Sequence, residues 1–581
     1  DFKERYGEEN VGILTGDITI NEDAPLRIMT TEIYRNMLLS QNPGLEELSY
    51  VIFDEVHYLG DEHRGKVWEE SFIFSPEHVR FLCLSATIPN ADEFAEWIRS
   101  IKEHDIHVVS EPERAVPLHH LFYDGQRGFG DIQALKEWKQ RDEETPDYHL
   151  VNGDKDAYYR NLKERERTVH IDVVKDLAAK EYLPAIYFCF SRQKTQDKAK
   201  RLKGEVDLVS DEERQEIRTT VRQALDDADE AVRDLNVTHV LRQCLAQGIG
   251  FHHAGLLPTH KEIVEQLFER GLVKALFCTE TFAVGINMPA QTVCFDSLEK
   301  YDGTGFRYLH SSEYFQLAGR AGRRGIDDVG YSVCVVETSF ADVNKIEGIT
   351  SGDREPLKSQ FQLSYNTVLN LLHHYTTTER DKVITSSFYA HQQGESGSEE
   401  MRRSFENRKD ELIDQGYIEE ATMGLELTNK GLFAMNIYHH EIILTELFCS
   451  EITPSLNHVE ILLLIGTMLA DERGDEDFDK RETKVSDSLY PKLKKNDVIY
   501  EYFNENRTDQ YESFLRAWYD GCDFTDLLEL TSMSEGDIFR YFRFVLDTLQ
   551  QVRHASLSDD LKDKIRHVEE QLDRDIIAVT I

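Results

Sequence analysis

The chain has 581 residues, 40% of them hydrophobic, and carries 108 Asp and Glu against 66 Lys and Arg, a formal charge of −42 at pH 7. At roughly 100–200 residues per domain, that length predicts a globular protein of three or four domains. The charge excludes an indiscriminately basic nucleic-acid surface but not a basic channel inside an acidic shell, and a carboxylate surplus also suits a protein adapted to high salt. No window approaches the ~18–20 apolar residues of a membrane span, Ile461 to Ile465 being the nearest. Eight cysteines lie far apart without a C-x-x-C pair. That pattern predicts buried thiols in a reducing cytoplasm, not a disulfide frame or a zinc site.

From Val11 to about Ser110, apolar runs at Arg27–Met29, Tyr50–Phe53, Phe81–Leu84 and His107–Val109 alternate with amphipathic stretches such as Ala91–Ile101. This is a β–α alternation, so a parallel sheet with covering helices is expected over 1–112. The strand at Tyr50 reads as buried and stops on Asp54 and Glu55, and ligands gather at the carboxyl ends of such strands. Ser85, Ala86 and Thr87 end the next strand and bring two hydroxyls to the same edge. A charged excursion from Asp124 to Arg167 precedes a second α/β series over 113–348, with strands at Ala185–Phe190, Ala275–Cys278, Val293–Phe295 and Tyr331–Val336. Here Thr279 to Pro289 follows a strand and offers Gly285 for a close backbone approach. Gln316 to Gly325 sets Arg320 and Arg323 three apart, each after a glycine, as two guanidinium forks suited to a polyphosphate.

After about Thr350 the strands thin out. Glu355–Tyr375 is helical in pattern, Gln392–Glu400 has loop composition, and Leu412–Ile418 with Leu425–Gly431 reads as a helix end and a hairpin, the pattern of a winged helix over 349–440. From Ile442 to the end, apolar-periodic segments predict a helical bundle over 441–581.

The ordered set Asp54-Glu55-Val56-His57, Ser85-Ala86-Thr87, Gly250 to Pro258, Thr279 to Pro289 and Gln316 to Gly325 resembles superfamily-two DExH-box helicases, and among them the superkiller and exosome-cofactor RNA helicases. Thr15-Gly16-Asp17, Thr30-Thr31-Glu32, the Lys300–Tyr308 hairpin and the Leu357–Phe361 and Tyr365–Leu372 segments extend the likeness along essentially the whole chain. The resemblance implies two tandem RecA-like domains, a winged helix and a helical ratchet. It implies ATP and Mg2+, with Asp54 holding the metal through water, Glu55 activating the attacking water and His57, Ser85, Thr87 and Gly285 coupling the site to its surroundings. Arg320 and Arg323 would neutralise the γ-phosphate, Gln316 would help to close the cleft, and the nucleotide would bridge the two domains. Thr15, Gly16, Thr30, Thr31, Thr279 and Thr281 would grip a nucleic-acid backbone, joined by Arg540 and Arg543 on the ratchet helix. The hairpin near Asp302–Phe306 would act as the duplex wedge.

Two departures qualify the likeness. No G-x-x-x-x-G-K-[ST] phosphate loop occurs, and since the family carries it shortly upstream of Thr15 and the chain opens inside an α/β pattern, an amino-terminal truncation is expected. These 581 residues alone are then expected to hydrolyse ATP poorly. No arch-sized insertion interrupts the winged-helix region. The reading is a monomeric, cytoplasmic, ATP-dependent RNA helicase moving 3′ to 5′ on single-stranded or tailed duplex RNA, feeding an exoribonuclease and without a membrane. The alternatives are a DNA-repair helicase of the same superfamily and a non-catalytic nucleic-acid clamp or scaffold.

Overall fold

The computed structural model describes residues 2–15, 19–86, 88–102, 104–111, 113–144, 168–283, 288–352, 356–422, 424–470, 477–479 and 484–578. It divides into two compact units, one of 1–110, 356–533 and 538–581, the other of 111–355 and 534–537.

The first unit opens with β1 (Val11–Leu14), β2 (Thr19–Ile20) and β3 (Leu26–Met29). β1 pairs parallel with β3 and antiparallel with β2. A second parallel pair follows, β4 (Tyr50–Phe53) with β5 (Arg80–Cys83), in the register Tyr50↔Arg80 and Phe53↔Cys83. One face of that pair is packed, with the Phe53 ring tilted against Trp68, Phe72 and Phe81. The other is open: Tyr50 is 70% and Ile52 64% exposed, with Leu82 at 50%. The fully buried strand expected at Tyr50 is therefore buried on one side only, because only one layer of helices covers it among the described residues. Val108 and Val109, expected in a strand, lie outside any strand and are exposed. Among the described residues neither valine is paired in a ladder.

In the second unit, β6 (Leu118–Asp124), β7 (Gly128–Gly130), β8 (Ala185–Phe188), β9 (Ile249–His252), β10 (Ala275–Cys278) and β11 (Thr292–Phe295) are followed by a hairpin, β12 (Glu299–Tyr301) and β13 (Phe306–Tyr308), and then by β14 (Gly330–Val335). The seven-stranded sheet has the order β7-β6-β14-β11-β8-β10-β9. All its pairings are parallel except β6 with β7. β8, β9, β10 and β11 are buried at every position, as continuous apolar runs covered on both faces should be. All eight cysteines are unpaired, and Cys189, Cys278, Cys294 and Cys334 lie buried in or beside these strands.

The chain then returns to the first unit. Residues 356–364 have no regular secondary structure and are not helical as expected; the helix covers only Tyr365–His374. Pro356 leads this strap, whose main chain is held by side chains: Leu357 N donates to Asn90 Oδ1 at 2.7 Å and Leu357 O accepts from Asn90 Nδ2 at 3.0 Å. The expected loop at Gln392–Glu400 is also corrected. It is the junction of helices Phe388–Gln393 and Glu395–Asp414, broken only at Gly394, whose φ of 66° and ψ of −140° suit glycine alone. A hairpin follows, β15 (Ile418–Ala421) with β16 (Gly424–Leu427). Phe361, Leu369, Phe388, Phe405 and Ala434 join Phe72, Phe94 and Trp97 in one core, and Trp97 Nε1 donates to Ser386 O at 2.7 Å. Helices from Glu441–Phe448 to Asp559–Leu572 complete the unit, among them Glu535–Ala555, which belongs to it from Ile538 onward. No helix among the described residues is long and apolar enough to cross a membrane.

Candidate functional site

In the first unit, β4 and β5 stay tied beyond their ends. Leu84 N donates to Phe53 O at 2.8 Å and Val56 N to Leu84 O at 2.9 Å, so the carboxylates and Ser85 emerge at one edge. Between the buried anchors Phe53 and Val56 the chain turns sharply, with Glu55 left-handed at φ 59° and ψ 44°. A non-glycine residue there costs on the order of 1–3 kcal/mol, a strain that concentrates at functional sites. Asp54 Oδ1 accepts the Glu55 N–H at 3.0 Å. His57 Nδ1 lies 3.3 Å from Glu55 Oε2 and 3.5 Å from Ser85 Oγ, bridging the two strand ends. Burial lowers the His57 pKa, opposed by the Glu55 and Asp54 charges. Thr87 lies outside the described residues.

Asp54 and Glu55 are hard oxygen donors at an accessible edge, and no cluster of three or more His, Cys, Asp or Glu forms a metal cage among the described residues. That donor set fits Mg2+, which takes one or two carboxylates and completes its shell with water and phosphate oxygens.

The parallel register of β1 and β3 ends on Leu14↔Met29, which sets Thr15 beside Thr30. Thr30 is the N-cap of helix Thr31–Leu39 but makes no side-chain capping bond, so simple capping does not explain its exposed hydroxyl. Thr31 opens the first turn of that helix. Gly16 lies outside the described residues.

In the second unit the candidate residues fall at opposite ends of the sheet. Thr279 and Thr281 follow the carboxyl end of β10, their hydroxyls 2.8 Å apart. Arg320 and Arg323 lie at the amino ends of β11 and β14, where Arg320 O accepts Ala290 N at 2.9 Å and Gly322 N donates to Ala290 O at 2.7 Å. Gln316 is half-buried on helix Ser311–Ala318, which leads into this loop. Gly322, at φ 89°, leaves no space for a Cβ, which would lie 2.6 Å from Val116. Gly285 lies outside the described residues. At the hairpin tip, Tyr301 and Phe306 are exposed with ring centroids 5.6 Å apart.

Two supporting side chains escape the sequence reading. Arg114 Nη2 donates to Ala321 O at 2.7 Å and Gly319 O at 3.2 Å, bracing the arginine loop from a distant part of the sequence. Asp327 grips Arg323 through Nε at 2.9 Å and Nη2 at 2.8 Å. The four-residue spacing of Arg323 and Asp327 is a readable signal; nothing local marks Arg114. On the Glu535–Ala555 helix, Arg540 is exposed, whereas Arg543 is half-buried with Nη1 3.1 Å from Asp573 Oδ1. The two arginines expected to act alike thus differ, because Arg543 is tied to the chain's last turns.

Comparison with known proteins agrees with this arrangement. Residues 5–94 match the DEAD/DEAH box helicase model, 229–325 the helicase conserved C-terminal domain, and 424–580 the DSHCT (NUC185) domain. The two helicase models define a protein with tandem RecA-like α/β domains. The chain is 40% identical over 387 residues to Superkiller complex protein 2 of Mus musculus, covering 64% of this chain and 31% of that protein. It is 40% identical over 403 residues to Exosome RNA helicase MTR4 of Homo sapiens, covering 67% and 38%. With DExH-box ATP-dependent RNA helicase DExH9 of Arabidopsis thaliana it shares 36% identity over 429 residues, 71% of this chain and 43% of the relative. The chain carries helicase and DSHCT domains and is similar to the superkiller and exosome-cofactor branch of the superfamily-two DExH helicases. The matches span less than half the length of each of these relatives.

Proposed function

We propose that this chain supplies motor and strand-binding parts of an ATP-dependent RNA helicase that moves 3′ to 5′ on single-stranded RNA and opens tailed duplexes. The observation that carries the reading is the strained turn at Glu55, with His57 between its carboxylate and Ser85. Similarity to an exosome RNA helicase favours RNA over DNA.

In the proposed chemistry Glu55 orients and deprotonates the water that attacks the γ-phosphate, and His57 relays the state of that site to Ser85 and the Thr87 segment. Asp54 would hold Mg2+, and the ion when bound would neutralise phosphate charge. Arg320 and Arg323 offset the charge that grows on the γ-phosphate, with Gln316 and Gly285 shaping the site. Thr15, Gly16, Thr30, Thr31, Thr279 and Thr281 hold the strand through backbone and hydroxyl contacts that ignore base identity. The separation of Thr279 and Thr281 from Arg320 and Arg323 by the length of the second unit's sheet supports a division between strand grip and nucleotide chemistry.

We assign 349–440 as a winged helix and 441–581 as a ratchet bundle. The helices and hairpin β15–β16 support the first, and the long helix bearing Arg540 supports the second. A cytoplasmic monomer that passes RNA to an exoribonuclease completes the reading. The test uses the natural gene product containing these residues, given duplexes with 3′ or 5′ single-stranded tails of RNA or matched DNA. ATP-dependent opening of the 3′-tailed RNA duplex is the expected result; preference for the DNA duplex, or for the 5′ tail, overturns it.

A further inference from the structure

We infer that Asp327, outside the recognised arginine motif, is the positioning residue that sets Arg323 for phosphate contact; this rests on the proposed role of Arg323. The same Asp327 Oδ2 accepts the Arg323 backbone N–H at 2.8 Å and its Nε–H at 2.9 Å, while Oδ1 accepts from Nη2 at 2.8 Å. One carboxylate therefore fixes the guanidinium plane against its own main chain. The turn is closed from the other direction, since Asp327 N donates to Arg323 O at 2.9 Å and Ile326 N to the same oxygen at 3.1 Å. Side chain and backbone together leave this arginine little rotamer freedom.

The charge balance matters as much as the geometry. A guanidinium has five N–H donors in a rigid fork, and Asp327 occupies the Nε edge. The Nη1 edge points away from the carboxylate and is the edge that can meet a phosphate oxygen. The Asp327 side chain is 5% exposed and that of Arg323 24%, so the carboxylate is shielded while the arginine keeps access to solvent. Burial pushes the Asp327 carboxyl up, but the hydrogen bonds from Arg323 outweigh it and hold the group below its ordinary range, so it stays ionised. Such an arginine does not have to be ordered when charge develops on a phosphate; its orientation is paid for in folding.

A positioning role and a merely structural one separate in kinetics. In the natural gene product, Asp327→Asn keeps an oxygen for the Arg323 backbone N–H but can no longer accept from both guanidinium nitrogens. RNA-stimulated kcat is expected to fall on the order of tenfold to a hundredfold, with KM for ATP within about twofold and the circular dichroism melt unmoved. Placed on Arg323→Lys, the same substitution is expected to add no further loss in single-turnover hydrolysis, because Asp327 acts through Arg323. If Arg323→Lys impairs turnover but Asp327→Asn does not, or if Asp327→Asn raises activity or adds its full loss to Arg323→Lys, the inference is overturned. Undiminished turnover by Arg323→Lys would instead remove the role assigned to Arg323 itself.

Discussion

Buried titratable side chains tie the stability of each unit to pH, and in the first unit His439, lowered by burial to about 4, responds to acid as the second unit's histidines do. In the second unit burial lowers His170 and His253 to about 3 and His260 to about 4. Unfolded, each takes up a proton near its ordinary 6.5, so the folded unit's stability is full above that pH and drains as pH falls toward 4. At pH 5.5 the three together cost up to about 4 kcal/mol. In the first unit burial instead raises Glu69 to about 8, though Ser359 Oγ and the Phe388 N–H both donate to it. Its stability contribution is complete below about 4.5 and lost as pH rises through 8. Urea melts of the second unit should therefore weaken from pH 7.5 to 5.5, and Glu69→Gln should remove a loss of first-unit stability between about pH 5 and 8. Unchanged melts in either experiment would contradict these assignments. Asp54, Glu55, Arg320 and Arg323 were legible as single residues because their chemistry is written in adjacent letters. Asp327 was legible only as a spacing, and Arg114 not at all, since it meets the loop through tertiary packing.

Strands and helices reveal where periodicity is informative and where packing overrides it. The β8–β11 strands are apolar at nearly every position and are buried at every position, so pattern and structure agree. Tyr50–Phe53 has the same composition, yet Tyr50 and Ile52 face outward, because composition does not say how many helical layers cover a strand. Gln392–Glu400 misleads in the opposite sense, its Gly and Ser belonging to a two-helix junction. Gly397 is buried there, a Cβ on it meeting Gln393 at 2.7 Å and the Ala390 backbone at 3.1 Å. Gly394→Ala should destabilise the first unit by about 1–3 kcal/mol through its backbone conformation alone, read as a lower urea midpoint with unchanged slope. A neutral substitution would mean that the junction relaxes without cost.

Across the whole molecule, a charge of −42 sits uneasily with RNA binding unless the grip relies little on cations. The proposed contacts are mostly hydroxyls and backbone amides, with Arg540 and Arg543 the only cations proposed to meet the strand. Counterion release at about 0.7 per phosphate neutralised on a single strand then predicts a log K against log salt slope no steeper than about −1.4. A slope several times steeper in a filter-binding titration would reveal an unassigned basic channel. The central claim is that the carboxylates ending β4 drive an RNA-dependent motor. Its most direct measurement is steady-state ATP hydrolysis by the natural gene product and by its Glu55→Gln variant, each with RNA, with DNA of matched sequence and with neither. The account predicts stimulation by RNA above DNA in the unmodified protein and a loss of at least about a hundredfold in kcat for Glu55→Gln, with RNA binding retained. Hydrolysis indifferent to RNA, or undiminished by Glu55→Gln, would contradict it.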